Sequence, residues 1–324
     1  MMYGNIFFEI SGICNAKCPW CITKSPFVES KHPIYQVTPE KARFIPVEIF
    51  ERAINRLIDI GIIGPTTCIH LYNWGEPLLH PQFEDILTVL YKKDLAIAIS
   101  TNASKLVEVA PHLLAHLKQF TISMPGFNQA AYDRIHGFQF DKIWHNIDAL
   151  LTTFKSADII RIAYHVYQFN IGEIKAAKQF CLEKGVEFSP YAAFPVDYNL
   201  SLAYLNDALS YETLKKLSKD LLLYYIDEKV AAAPTDYICP QHDNYLTIDE
   251  YCNILTCCVV TKEHPDYYAI GSLFDLSYDE MRKQKVSQAI CKECLQSGLA
   301  YWVHNPLILE CGTGNLSHYS INDE

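Results

Sequence analysis

The chain has 324 residues, half of them hydrophobic, and a formal net charge of −10. That length supports one large domain with a smaller one. An acidic balance without a basic stripe argues against nucleic acid as substrate or partner. No apolar run reaches the roughly 18 residues of a membrane-spanning helix.

In chain order, the first signal is the apolar run Ile6–Ile10, which reads as a β-strand. Before it, Met1 to Asn5 lacks the basic segment of a secretory signal, so a cytoplasmic location is expected. After it come Cys14, Cys18 and Cys21 in a C-x3-C-x2-C spacing. Thiolates crowded this closely suit a soft metal or an iron–sulfur cluster better than packing. Zinc motifs usually come as C-x2-C pairs, and disulfides would need an oxidising compartment. Structural sites normally take four protein ligands, so three leave one metal position open for a small molecule.

Further runs near residues 67–72, 95–100, 119–124, 158–168 and 186–191 are strand-like. Between and after them, Val47–Ile60, Pro81–Lys93, Leu106–Leu117, Asp141–Phe154 and Ile171–Lys184 read as helices. Six strands alternating with helices predict a parallel α/β sheet curled into an open barrel, with its site at the carboxyl ends of the strands. Asn73-Trp74-Gly75-Glu76-Pro77 closes the second strand. Gly75 allows close backbone approach and Glu76 can accept a hydrogen bond from an ammonium. A plain turn before a helix would read the same way. Ser100-Thr101-Asn102 and Ser123 close the third and fourth strands, where their side chains could meet a ligand or cap the next helix.

The cysteine triplet with Trp20, followed by Gly75-Glu76-Pro77 after the next strand, resembles the radical S-adenosylmethionine (SAM) superfamily. Its signature is C-x3-C-x-aromatic-C after the first barrel strand, and its G-G-E-P motif falls on Trp74 to Pro77, with Trp74 at the first glycine. The resemblance implies a partial (β/α)6 TIM-like barrel and a [4Fe-4S] cluster on Cys14, Cys18 and Cys21, with SAM on the open iron. Electrons would come from a flavodoxin- or ferredoxin-type donor. Cleaved SAM would give a 5′-deoxyadenosyl radical that abstracts a hydrogen atom from substrate. Trp20 would lie beside the adenine or anchor its loop. Glu76 would hold the methionyl ammonium, and Ser100, Asn102 and Ser123 would reach SAM oxygens. Tyr132 to Gly137 resembles a Y-x-K-I-R-G segment of relatives with extra clusters. The family arginine falls on His136, with Arg134 two residues earlier, so either could face the SAM carboxylate.

Residues 192–238 read as a connection containing a helix at Tyr211–Glu228. A hairpin follows, Tyr245–Ile248 turning at Asp249–Cys252 into Asn253–Cys258. A helical run at Tyr278–Ser287 precedes Cys291 and Cys294. The C-x2-C pair with cysteines upstream would alone suggest zinc. Beside the radical SAM signature, the layout resembles the auxiliary-cluster domain called SPASM, or Twitch in its one-cluster form. That resemblance implies one auxiliary [4Fe-4S] cluster on Cys239, Cys257, Cys291 and Cys294, with Cys258 an alternative to Cys257. It divides the chain into a barrel, 1–200, and linker helices with an auxiliary domain, 201–324.

Cys68 and Cys181 are left as small core residues, and Cys252 sits in the hairpin turn where relatives often place glycine. Cys311 could donate a hydrogen atom to a substrate radical, bind a cluster or simply pack. One-cluster relatives include aminocyclitol dehydrogenases, whereas full SPASM relatives mostly modify ribosomal peptides, many with an N-terminal recognition domain. This chain begins at its first barrel strand. The expectation is therefore oxidation or epimerisation of a sugar, cyclitol or similar small metabolite, with peptide crosslinking or epimerisation as the alternative.

Overall fold

The computed structural model describes residues 2–21, 43–195, 197–260 and 268–305. Among these residues, nine strands form one sheet in the order β6-β5-β4-β3-β2-β1-β7-β8-β9. They are β1 (Asn5–Phe8), β2 (Cys68–His70), β3 (Ala96–Thr101), β4 (Leu117–Met124), β5 (Ile159–Val166), β6 (Glu187–Ala192), β7 (Tyr245–Ile248), β8 (Asn253–Leu255) and β9 (Ala269–Ser272). Strands β1 to β6 are parallel, and β7 lies parallel to β1 with Asn5 opposite Tyr245. Strands β8 and β9 then add antiparallel. The sheet stays open between β6 and β9. This is the partial (β/α)6 barrel anticipated above, with the hairpin region extending the barrel's own sheet.

Helices α1 (Val47–Asp59), α2 (Phe83–Lys92), α4 (Phe140–Thr153) and α5 (Ile174–Lys184), with the short α3 (Gln129–Arg134), cover the convex side. In α1, Phe50, Ala53, Ile54 and Leu57 recur at helical spacing and are buried, which is why this stretch becomes a helix seated on the sheet. Ile6, Phe8, Ile69, Ile97, Ile99, Phe120, Ile122, Ile162 and Tyr164 meet these helices in one core. Because strand side chains alternate, the opposite set faces the barrel interior.

Two expected helices differ. Leu106–Leu117 forms only a 3-10 turn at Pro111–Leu114, and Leu117 already begins β4. Pro111 disfavours helical backbone in the residue before it, and Ala110 is extended at φ −60°, ψ 126°. Tyr211–Glu228 divides into α7 (Tyr211–Ser218) and α8 (Leu223–Ala231), after α6 (Tyr198–Leu205). At the break, the Asp220 and Leu221 carbonyls accept hydrogen bonds from Gln168, so barrel contacts take carbonyls a continuous helix would use. Helices α9 (Tyr278–Ser287), α10 (Ala289–Gln296) and α11 (Leu299–His304) close the described chain. No described helix is long and apolar enough to cross a membrane.

Candidate active site

The cysteine loop leaves β1 and is stitched to the turn after β2. Glu76 N donates to the Ile13 carbonyl at 2.9 Å, one residue before Cys14. A Cβ on Gly75 would overlap the Ser11 carbonyl and lie 3.0 Å from the Ile13 oxygen, so only glycine lets these backbones pass. Just after β1, the buried Glu9 carboxyl accepts hydrogen bonds from the backbone N–H of Trp74 and of Gly75. Trp74 can replace the first motif glycine because its part here is a backbone N–H.

Glu76 is 2% exposed and ties three segments together. It accepts from Leu78 N at 3.1 Å, Thr101 Oγ1 at 2.8 Å and Asn102 N at 2.7 Å. Burial pushes its carboxyl up to about 7, against these hydrogen bonds. Asn102 in turn directs its amide to Cys14 Sγ at 3.8 Å and to Asn15 at 3.1 Å. Thr101, not singled out from the sequence, therefore belongs to the site, and its place in the Ser-Thr-Asn run was the available signal.

The other expected SAM neighbours are scattered. Ser100 and Ser123 lie on the interior faces of β3 and β4, opposite Thr121 and Ala163. Trp20 packs with Ile135, Tyr167 and Leu217 and lies beside Asp220. Arg134 pairs with the same Asp220 and lies over the Phe169 ring, 4.6 Å from its centroid. Trp20 thus sets the cysteine loop, and Arg134 the end of α3, against the turn before α8. His136 is buried, and its carbonyl accepts from Lys17 N at 3.0 Å inside the cysteine loop. Burial, with His165 nearby, lowers its imidazole to about 3, and Nδ1 finds no partner among the described residues.

The barrel interior carries a polar and aromatic lining that sequence patterning alone did not single out. His70 Nε2 meets Asn5 Oδ1 at 2.9 Å, Nδ1 meets the Tyr72 hydroxyl at 3.2 Å, and the ring stacks on Phe7 with centroids 4.3 Å apart. Across the lining, the Tyr191 hydroxyl meets His165 Nε2. Burial lowers both histidines to about 4, so they are neutral donors or acceptors at neutral pH. Cys68, expected as a core residue, is on this interior face, whereas Cys181 is in the core. Cys252 is buried with φ 63°, the left-handed backbone that explains why glycine suits that turn.

A second thiol group lies toward the other end of the strands. Cys239 precedes β7 and Cys257 follows β8, which runs back antiparallel. Since β7 is in parallel register with β1, both sit toward the strands' amino ends, away from Cys14–Cys21. Cys239, Cys257, Cys291 and Cys294 line one pocket with Tyr198, His242 and Ile290. Cys258 does not line it; it pairs with Cys257 and holds that thiol below its ordinary range. Cys311 lies outside the described residues.

Residues 8–180, more than half of the chain, match the Radical SAM superfamily. The chain belongs to that superfamily. As a radical SAM enzyme it uses a [4Fe-4S] cluster and SAM. The N-terminal thiols fit such a cluster: burial and then the charges of Cys21 and Cys14 push Cys18 up, and burial pushes Cys14 up to about 11. Thiols so placed ionise readily only on a cation. Among the described residues no three such ligands converge on a single ion. Cluster thiols need not, because each binds a different iron.

A curated relative, the antilisterial bacteriocin subtilosin biosynthesis protein AlbA of Bacillus subtilis, is 23% identical over 85% of this chain. The chain spans 58% of that protein's length. Streptococcus suis SuiB bound to its precursor peptide SuiA has a similar fold, at TM-score 0.55 and 17% identity, covering 93% of this chain and 71% of SuiB. BtrN in complex with AdoMet and 2-DOIA is similar at TM-score 0.50 and 13% identity, covering 92% and 89%.

Proposed function

We propose that this radical SAM enzyme is a maturase of a ribosomally synthesised peptide, acting by hydrogen abstraction to form a crosslink or invert a stereocentre. The observation that carries this reading is the similarity to AlbA, a bacteriocin biosynthesis protein, along 85% of the chain. It outweighs the small polar metabolite expected from the sequence. The similarity to BtrN keeps a small substrate as the second reading, with oxidation or epimerisation as its chemistry.

In this reading Cys14, Cys18 and Cys21 hold the cluster that binds SAM, and Cys239, Cys257, Cys291 and Cys294 hold one auxiliary [4Fe-4S] cluster. When bound, the first cluster and SAM supply a 5′-deoxyadenosyl radical. The chain's own residues then do the following. Glu76 keeps acceptor capacity beyond its three hydrogen bonds and offers it to the methionyl ammonium, while Gly75 keeps the backbone close. Asn102, beside Cys14, and the interior hydroxyls of Ser100 and Ser123 face the ligand's polar edge. His70, Tyr72, His165 and Tyr191 bind substrate between the two thiol groups. The halves 1–200 and 201–324 divide the work between SAM cleavage and the auxiliary site. A flavodoxin or ferredoxin supplies the electron.

The test is anaerobic incubation with SAM, dithionite and either short peptides encoded beside the gene or a panel of aminocyclitols and sugars. Peptide-dependent 5′-deoxyadenosine, with a mass change in the peptide, is expected. Turnover of a cyclitol with every peptide inert would overturn the reading in favour of the second one.

A further inference from the structure

One lysine is buried against the second thiol group. Lys285, on α9, is 1% exposed. Its Nζ donates to the Tyr245 carbonyl at 3.2 Å and lies 5.9 Å from the Tyr3 ring centroid. Burial pushes its ammonium down to about 8, against the charges of Cys257, Cys239, Cys291 and Cys258. Its own carbonyl accepts from Cys291 Sγ at 3.9 Å. His242 and His304 face the same corner, and burial followed by the lysine's charge pushes both down. Lys285 is therefore a buried cation of this corner.

An ammonium taken out of water needs a negative partner, and one carbonyl and a ring face compensate it poorly. Four neutral thiols would not serve. Four thiolates on a cluster would, since that assembly is net negative and gains one further negative charge when it takes up an electron. A fixed positive charge at short range in a poorly screened interior stabilises the more negative state. The location also points inward, because the Tyr245 ring sits against Phe7 in the barrel interior, centroids 5.6 Å apart.

We propose that Lys285 is a positioning residue for electron uptake: its ammonium compensates an auxiliary cluster on Cys239, Cys257, Cys291 and Cys294 and raises that cluster's reduction potential. The inference rests on the auxiliary-cluster reading above. The one-electron reduction changes no bond at Lys285, and dithionite is the reductant in the test.

The full chain carrying Cys14→Ala, Cys18→Ala and Cys21→Ala leaves only the auxiliary site to bind iron. If this parent holds no iron after anaerobic reconstitution, the cluster reading itself fails, before any lysine variant is made. With iron present, Lys285→Met, Lys285→Gln and Lys285→Arg are compared by iron content and by redox titration followed by electron paramagnetic resonance. The neutral variants are expected to keep their iron and titrate at lower potential, with Lys285→Arg returning toward the parent. Loss of iron from the neutral variants alone, with arginine retaining it, supports the same charge compensation. An unchanged midpoint in Lys285→Met at full iron content overturns the proposal, as does an arginine variant that shifts or loses iron as far as methionine.

Discussion

Glu76 shows how one side chain joins three strand ends. Its Oε1 accepts from Leu78 N and Thr101 Oγ1 and its Oε2 from Asn102 N. In Glu76→Gln, whichever way the amide turns, an NH2 group faces a backbone or hydroxyl donor. The variant should lose about 1–3 kcal/mol of stability by denaturant unfolding and bind SAM more weakly by equilibrium dialysis. Unaltered SAM affinity would reduce the motif to a turn. Glu9 offers a pH test. Burial, with the Glu250 charge contributing, raises its carboxyl from 4.5 to about 8, against the hydrogen bonds from Trp74 and Gly75. A raised carboxyl contributes stability that is complete below about 4.5 and is lost as pH rises through about 8. Relative to Glu9→Gln, which is neutral throughout, melting temperature should therefore fall across that window. Equal slopes would remove Glu9 as its source. The three N-terminal cysteines were legible because their spacing is local. Lys285, His70, Tyr72, His165 and Tyr191 were not, because they converge only once strand faces are assigned. Trp20 and Arg134 meet at Asp220 for the same reason, from about 200 and 86 residues away in sequence.

At the level of elements, helices with a clear apolar stripe were readable, as with Phe50, Ala53, Ile54 and Leu57 of α1. The failures came where a tertiary or backbone constraint overrode periodicity: Pro111 in the third expected helix, and the Gln168 contacts that break the chain before α8. The parallel docking of β7 on β1 was hidden too, since pairing strands some 240 residues apart leaves no local pattern. Helices α10 and α11 pack around Cys257, Cys291, Cys294 and Trp302 rather than in the main core, so ligation of the proposed auxiliary cluster should contribute much of their order. Hydrogen–deuterium exchange of Cys291→Ala with Cys294→Ala should lose protection across 289–304 while β2 to β5 keep theirs. Uniform loss would show that the cysteines support the whole fold, and no loss would show that they hold nothing.

For the whole molecule, the parallel register of β1 and β7 sets one thiol group beyond the carboxyl ends of the strands and the other toward their amino ends. The polar and aromatic barrel interior lies between, which is where a substrate could lose a hydrogen atom on one side and an electron on the other. On the proposed reading, that arrangement gives purpose to seven cysteines and to a buried lysine that are unrelated in sequence. The most direct test is metal analysis with a SAM cleavage assay on anaerobically reconstituted protein. The chain should bind about eight irons, as two four-iron clusters, and replacing Cys14, Cys18 and Cys21 with alanine should leave about four and abolish 5′-deoxyadenosine formation. Full cleavage in that triple variant, or zinc in place of iron at both thiol groups, would contradict the account.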